Sequence, residues 1–292
     1  MQNATDTRRG ILLMLAASFL FALTMLFAKL LSHSMGSVEV TFWRNAIGLL
    51  VLGSLILRKP IRNTGGRPLT LIFRGVIGTI ALLAFFYTIS ATSLSNAIVY
   101  AKTEPIFTAL LAFFLLGEKL KAKSVFAIFI GFSGVAVLSG LHFDYLHIIG
   151  ILTGFLSALA YTSVRSLKAH YDPRTVVLSF MFFGVVIPAL LMVIAEFVTS
   201  QLFAFALNPF TMPYGVDWLW IGLMGLAAAY GQLFMTRAYF YAKAGLVSTI
   251  SYSVVLFASL FGIVLGDILP SPAVIMGAVL IVLSGILLSR EK

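Results

Sequence analysis

The chain has 292 residues, 60% of them hydrophobic and only 10% charged, and a mean hydropathy of +1.05. That composition excludes an ordinary soluble domain, in which about a quarter of the residues are charged, and marks an all-α integral membrane protein. The net charge of +10 needs no nucleic acid partner, because basic loops beside anionic lipid account for it, and the absence of cysteine excludes disulfides, thiolate metal sites and cysteine nucleophiles.

Windows of about 20 residues, matched to a hydrocarbon core roughly 30 Å thick, predict ten transmembrane helices. They lie at 11–31, 39–57, 70–90, 97–116, 124–140, 148–168, 175–198, 218–241, 246–265 and 273–289. Arg8 and Arg9 precede the first, whose apolar run from Ile11 to Ala28 is too long for the core of a signal peptide and ends without a clear cleavage site, so it reads as a permanent helix. Arg58, Lys59, Arg62, Arg67 and Arg74 fall between the second and third, and Lys119, Lys121 and Lys123 follow the fourth. Lys168 and Arg174, then Lys243, then Arg290 and Lys292 continue the pattern. Fifteen of the twenty Lys and Arg residues thus occupy one alternating set of gaps, the other gaps hold none, and the remaining five, Lys29, Arg44, Lys102, Arg165 and Arg237, sit inside helices. By the positive-inside rule both termini are cytoplasmic and the chain is a multi-pass protein of the inner membrane.

A shift of 140 places Gly10-Ile11-Leu12 on Gly150-Ile151-Leu152, and a shift of 149 places Leu116-Gly117-Glu118 on Leu265-Gly266-Asp267. Val137-Leu138-Ser139-Gly140 further matches Val282-Leu283-Ser284-Gly285 after a short deletion. The halves, 8–141 and 148–289, hold five helices each, and because five is odd the second enters the membrane in the opposite sense. The charges agree: three lysines follow Glu118 and none follows Asp267. Inverted repeats are a construction of secondary transporters, with the site near the midplane between the halves.

Two further stretches carry a family resemblance. The stretch from Phe85-Phe86-Tyr87 through Thr103-Glu104-Pro105-Ile106-Phe107 to Leu116-Gly117-Glu118-Lys119-Leu120, with Phe42-Trp43-Arg44 in the second helix, resembles the EamA-type branch of the drug/metabolite transporter superfamily. The likeness spans nearly the whole chain. It implies export or exchange of small amphiphilic metabolites, often amino acids, by alternating access, and leaves the solute open because the motifs are scaffold features.

An intramembrane charge costs about 2.5–3.5 kcal/mol on insertion scales, so each needs a reason. Glu104 is the foremost substrate-binding candidate: Pro105 beside it frees a backbone carbonyl, and Tyr100, Phe107 and Thr108 share its face. It either lines the substrate path or ties helices together through Arg44 or Lys29. Arg44 and Lys29, in the outer parts of their helices, form a cationic rim able to hold a carboxylate. Lys102, about 200° around the helix from Glu104, is expected to snorkel outward, and Arg165 and Arg237 to reach the cytoplasmic interface. If the halves pack as in the family, Tyr87, Tyr100, Tyr161, Gln232, Ser251 and Tyr252 bring polar tips to an apolar wall, which suits an amphiphile. Tyr239 and Tyr241, beside the cytoplasmic charges, fit the interfacial belt. The gap 199–217, with Phe203, Phe205, Pro209, Phe210 and Pro213, reads as a loop lying on the membrane surface.

An intramembrane serine protease is the enzymatic alternative, since Gly131-Phe132-Ser133-Gly134 matches the pattern around such a nucleophile. A serine needs a base at its own depth, and His33, His142, His147 and His170 all lie at helix ends, so close helix packing explains the small residues better. No metal or cofactor motif is present. The reading is a secondary transporter of an amino acid or a derivative, with protons as the candidate coupling ion, acting as a monomer or weak dimer. An uncoupled channel or facilitator is its alternative.

Overall fold

The computed structural model describes residues 4–61, 64–116, 122–139, 144–198, 207, 209–242, 247, 250–266 and 271–290. Every regular element among them is helical: α1 (Ala4–Leu31), α2 (Ser37–Arg58), α3 (Pro68–Ala91), α4 (Leu94–Ala101), α5 (Glu104–Leu116), α6 (Ala122–Ser139), α7 (Tyr145–Leu167), α8 (Pro173–Ala195), α9 (Asp217–Tyr241), α10 (Ser253–Val264) and α11 (Pro272–Arg290). Six of these, α1, α2, α3, α7, α8 and α9, hold segments long and apolar enough to cross a membrane. Large apolar side chains cover the outside, among them Leu50, Leu57, Phe114, Phe129, Leu190, Phe197 and Leu256. A hydrocarbon solvent tolerates that surface and water does not.

Local chemistry sets the starts. The Asp144 and Asp172 carboxylates cap α7 and α8 by accepting from the backbone N–H of His147 at 3.0 Å and Arg174 at 2.8 Å, and prolines open α3, α8 and α11. The expected helix at 97–116 is not continuous. It divides into α4 and α5 at Lys102 and Thr103, where the Thr103 hydroxyl donates to the Tyr100 carbonyl at 2.7 Å and Pro105 opens the next helix. The expected helix at 246–265 is interrupted likewise: Ile250 and Ser251 are helical, Tyr252 is a turn, and α10 begins at Ser253.

Helix α1 packs on α9 and α10, α2 on α8 and α9, α3 on α7 and α8, and α6 on α11, while α4 lies between α7 and α10. The approach of α4 to α7 is close because Gly150 and Gly154 face it: a methyl group at Gly154 would collide with the Thr103 hydroxyl and stand 3.1 Å from the Tyr100 carbonyl oxygen. Glycines explain the serine motif in the same way, since a methyl at Gly134 would lie 2.8 Å from the Gly277 carbonyl of α11, and Ser133 donates to the Phe129 carbonyl of its own helix at 3.0 Å.

Contacts between loops bring three of the gaps on the basic side together. The N–H groups of Thr64 and Gly65 donate to the His170 carbonyl at 3.1 and 3.0 Å, Arg174 Nη1 donates to the Lys59 carbonyl at 2.7 Å, and Lys168 Nζ to the Phe240 carbonyl at 3.0 Å. On the other side the Thr211 N–H donates to Glu39 Oε2 at 3.1 Å and the Ser34 hydroxyl to Asp217 Oδ1 at 3.1 Å. Met25, Leu31, Phe86, Ile89, Ile98, Met224 and Val254 pack together in one buried apolar cluster. The Gly117-Glu118 and Asp267 pair, the loop 199–206, Arg62, Lys119, Lys121 and Lys243 lie outside the described residues, as does the Arg165 side chain.

Candidate functional site

A cavity of about 140 Å³ lies where α1, α2, α3, α7, α8 and α9 converge on the two interrupted helices. Its wall is apolar in bulk, through Met14, Phe21, Met25, Leu82, Phe85, Phe86 and Phe180, and is punctuated by Ser18, Thr24, Arg44, Arg74, Lys102, Glu104, Thr153, Ser157, Tyr161, Gln232, Tyr239 and Ser251. An apolar pocket with a few converging polar groups is the usual form of a small-molecule site.

The charged groups are held in different ways. Arg44 and Arg74 are 2% and 3% exposed, and both guanidinium groups stand against one aromatic ring, that of Phe180, at 5.4 and 4.6 Å from its centroid. Arg74 also faces Tyr161 at 5.9 Å, and Arg44 Nη1 donates to Asn45 Oδ1 at 2.8 Å. Aromatic faces attract the cations without quenching their charge. Lys102 Nζ donates to Ser251 Oγ at 2.9 Å and lies 5.5 Å from the Tyr252 ring centroid, so a cation at one helix interruption is bonded to a hydroxyl at the other. Glu104 is the first residue of α5, and its Oε1 accepts from Thr108 Oγ1 at 3.2 Å. Ser18 Oγ, Gln232 Oε1, Arg44 Nε, and Arg74 Nε and Nη1 are buried with no hydrogen-bond partner among the described residues.

Of the residues named from sequence, the structure brings Glu104, Arg44, Tyr161, Gln232 and Ser251 to the cavity and leaves Lys29, Tyr87, Tyr100 and Tyr252 off its wall. Lys29 Nζ donates to the carbonyl oxygens of Ile89 at 3.0 Å and Thr92 at 2.6 Å, so it caps the end of α3 and is not a substrate rim. Tyr100 is buried over Gly150, edge-on to His147 at 5.7 Å. Tyr252 backs Lys102, its hydroxyl buried beside Gly285.

Three expectations about charge are corrected. Lys102 does not snorkel outward, and the 200° that separated it from Glu104 presumed one unbroken helix; the interruption at 102–103 turns both residues toward one space. Arg74 is not a loop charge. Helix α3 starts at Pro68, which puts Arg74 nearly two turns inside it, and the helix predicted at 70–90 already contained this residue although the charge count assigned it to the gap. The intramembrane cations are therefore not all divided between the membrane ends, because Arg44, Arg74 and Lys102 line one cavity. Tyr239 also lines it, where the belt was expected, while Tyr241 is partly exposed.

Residues 8–140 match the EamA-like transporter family. An uncharacterized transporter of Helicobacter pylori is 33% identical over 96% of this chain and 94% of its own. The chain belongs to the EamA-like transporter family. It is thus a multi-pass membrane transporter of the drug/metabolite transporter superfamily, working on a small molecule in a lipid bilayer, and it is not an enzyme. The pseudopaline exporter CntI of Pseudomonas aeruginosa is 27% identical to this transporter over 98% of the chain and 97% of the exporter. One crystal structure superposes with a TM-score of 0.67 over 100% of this chain and 99% of its own at 19% identity, which shows a shared fold.

Proposed function

We propose that this family member is a secondary transporter that moves a small amphiphilic metabolite, an amino acid or a derivative of one, across the inner membrane by alternating access, with both termini cytoplasmic. The observation that carries the reading is the cavity between two interrupted helices, with a carboxylate, three cations and aromatic rings on one wall. Interrupted helices at the midplane are where transporters place substrate groups, because freed backbone and side chains replace the water a polar solute loses. Glu104 takes the amine of the solute, Arg44, Arg74 and Lys102 its carboxylate, and Phe85, Phe86 and Phe180 its apolar part.

The halves 8–141 and 148–289 are proposed as inverted five-helix repeats. Advancing each helix by one repeat turns the contact of α1 with α9 into that of α7 with α3, and α2 with α9 into α8 with α3; α2 with α8 and α6 with α11 map onto themselves. The shift of 149 that aligns Leu116 with Leu265 also aligns Lys102 with Ser251, the two residues joined by a hydrogen bond. Equivalent positions meet only beside a two-fold axis, so this bond favours one passing through the cavity. The working unit in this proposal is a monomer or weak dimer, and Glu104 is the group offered to a coupling proton.

Counterflow in proteoliposomes, with amino acids competing against sugar phosphates, tests the cargo, and collapse of a labelled gradient with the proton gradient separates a coupled carrier from an uncoupled channel. Glu104→Gln keeps the shape and removes the charge, so it should abolish counterflow while purifying as a stable protein. A structural tie broken by the same change would leave a buried cation unpaired at a cost of about 3–5 kcal/mol, visible first as instability. Full transport by Glu104→Gln refutes the assignment.

A further inference from the structure

We infer that the cavity selects solutes of net negative charge: amphiphiles carrying at least two anionic groups, carboxylates or their equivalents, to one amine. The inference deepens the reading of the cavity as the substrate path and rests on it. Arg44, Arg74 and Lys102 line the space, and Glu104 is its one acidic residue among the described lining. The hydrogen-bond and ring partners of the two arginines described above are neutral, Asn45 and Phe180 for Arg44 and Phe180 and Tyr161 for Arg74, whereas Lys102, bonded to Ser251 and set against Tyr252, also feels the charge of Glu104. The nearest acid on the same helix as Arg44, Glu39, is committed to the Thr211 N–H and to Trp43 Nε1 at 3.3 Å.

Buried charge persists where something compensates it. Two donor nitrogens of Arg74, Nε and Nη1, one on each edge of the guanidinium, and the Nε of Arg44 are buried with no hydrogen-bond partner among the described residues, and a guanidinium edge offers two parallel donors that fit a carboxylate. Glu104 and one cation satisfy a zwitterion. Two cations then remain facing the solute, and a second anionic group answers them. The aromatic rings leave room for an apolar body between the charged ends.

Binding of phenethylamine, phenylalanine and 4-carboxyphenylalanine to the purified full chain, by titration calorimetry at pH 7, varies charge on one ring. We expect 4-carboxyphenylalanine to bind at least about tenfold more tightly than phenylalanine, and phenethylamine weakest. In Arg74→Gln 4-carboxyphenylalanine and phenylalanine should bind within about threefold of each other, while Arg74→Lys, which keeps the charge but not the paired donors, keeps part of the preference. Size-exclusion profile and thermal midpoint of both variants check that they fold. Phenylalanine binding as tightly as 4-carboxyphenylalanine, equal loss of every ligand in Arg74→Gln, or binding of none of the three overturns the inference. Counterflow of phenylalanine without that preference would overturn it while leaving the transporter reading intact, whereas loss of the Glu104 requirement would strike the reading itself.

Discussion

Lys102→Met separates a functional charge from a structural one. Methionine fills nearly the same volume, so the change removes charge with little change in packing. In the native protein Lys102 gains a charge-assisted hydrogen bond to Ser251, worth about 1.5–3 kcal/mol, and a ring contact with Tyr252, worth about 0.5–2 kcal/mol. Against these stands an insertion cost of about 2.5–3.5 kcal/mol for a cation at mid-helix. The contributions nearly cancel, so the variant should keep its stability to within about 1 kcal/mol, a shift in midpoint of roughly 2–4 °C. Uptake of an anionic solute into proteoliposomes should fall at least about tenfold, the worth of a single charged contact. Differential scanning fluorimetry and counterflow on one preparation give both numbers. A variant that transports normally, or one that loses more than about 3 kcal/mol of stability, would refute the reasoning, the first because the cation is idle and the second because it is a strut.

Gly154→Ala drives a methyl into the Thr103 hydroxyl and to within 3.2 Å of the Glu104 backbone nitrogen, so it should cost about 1–3 kcal/mol by overpacking and lower transport, read from midpoint and counterflow together. Cysteines placed at Pro60 and Tyr214, both exposed in this cysteine-free chain, should label with impermeant maleimide from opposite sides of the membrane; labelling of both from one side ends the proposed topology. Burial alone would raise the Asp172 carboxyl, but hydrogen bonds from the Arg174 side chain and N–H, and its charge, hold it below the usual range. Its stabilisation is therefore present above the ordinary carboxylate pKa of about 3.9 and lost as pH falls through the lower native value. Thermal midpoints from pH 6 down to pH 3 should converge between wild type and Asp172→Asn, with a gap above pH 5 under about 1 kcal/mol because the pair is solvent-screened.

Helix positions were legible because twenty apolar residues in a row have few other uses, and two of the gaps grouped by charge do meet, through the bonds between Lys59 and Arg174 and between Gly65 and His170. Two interruptions were not legible. Hydropathy windows average over the residues from 97 to 116, and a turn of two residues at Lys102 and Thr103 vanishes in the mean, although Pro105 was already noted as loosening that helix. One missed turn misplaced Lys102, since angular reasoning across a break has no meaning. Lys29 failed for a different reason: the carbonyls it caps belong to α3, sixty residues away in sequence.

The same shift that pairs Lys102 with Ser251 places Glu104 on Ser253, and there the halves part. One half offers a carboxylate where the other has a hydroxyl that is buried with no partner among the described residues. A perfect inverted repeat would present an identical wall to a solute on either side of the axis and could not tell its two ends apart. In the proposed repeat the exchange of acid for hydroxyl breaks that equivalence, and Arg74, on α3, carries its positive charge into the cavity. Orientation of an asymmetric solute then follows from placement of charge, with its amine drawn to the α5 side and its acids to the α2 and α3 side. If the halves exchange exposure as proposed, such a solute stays bound in one pose, because the groups that hold it lie on the interrupted helices and their neighbours and not on the loops at either end.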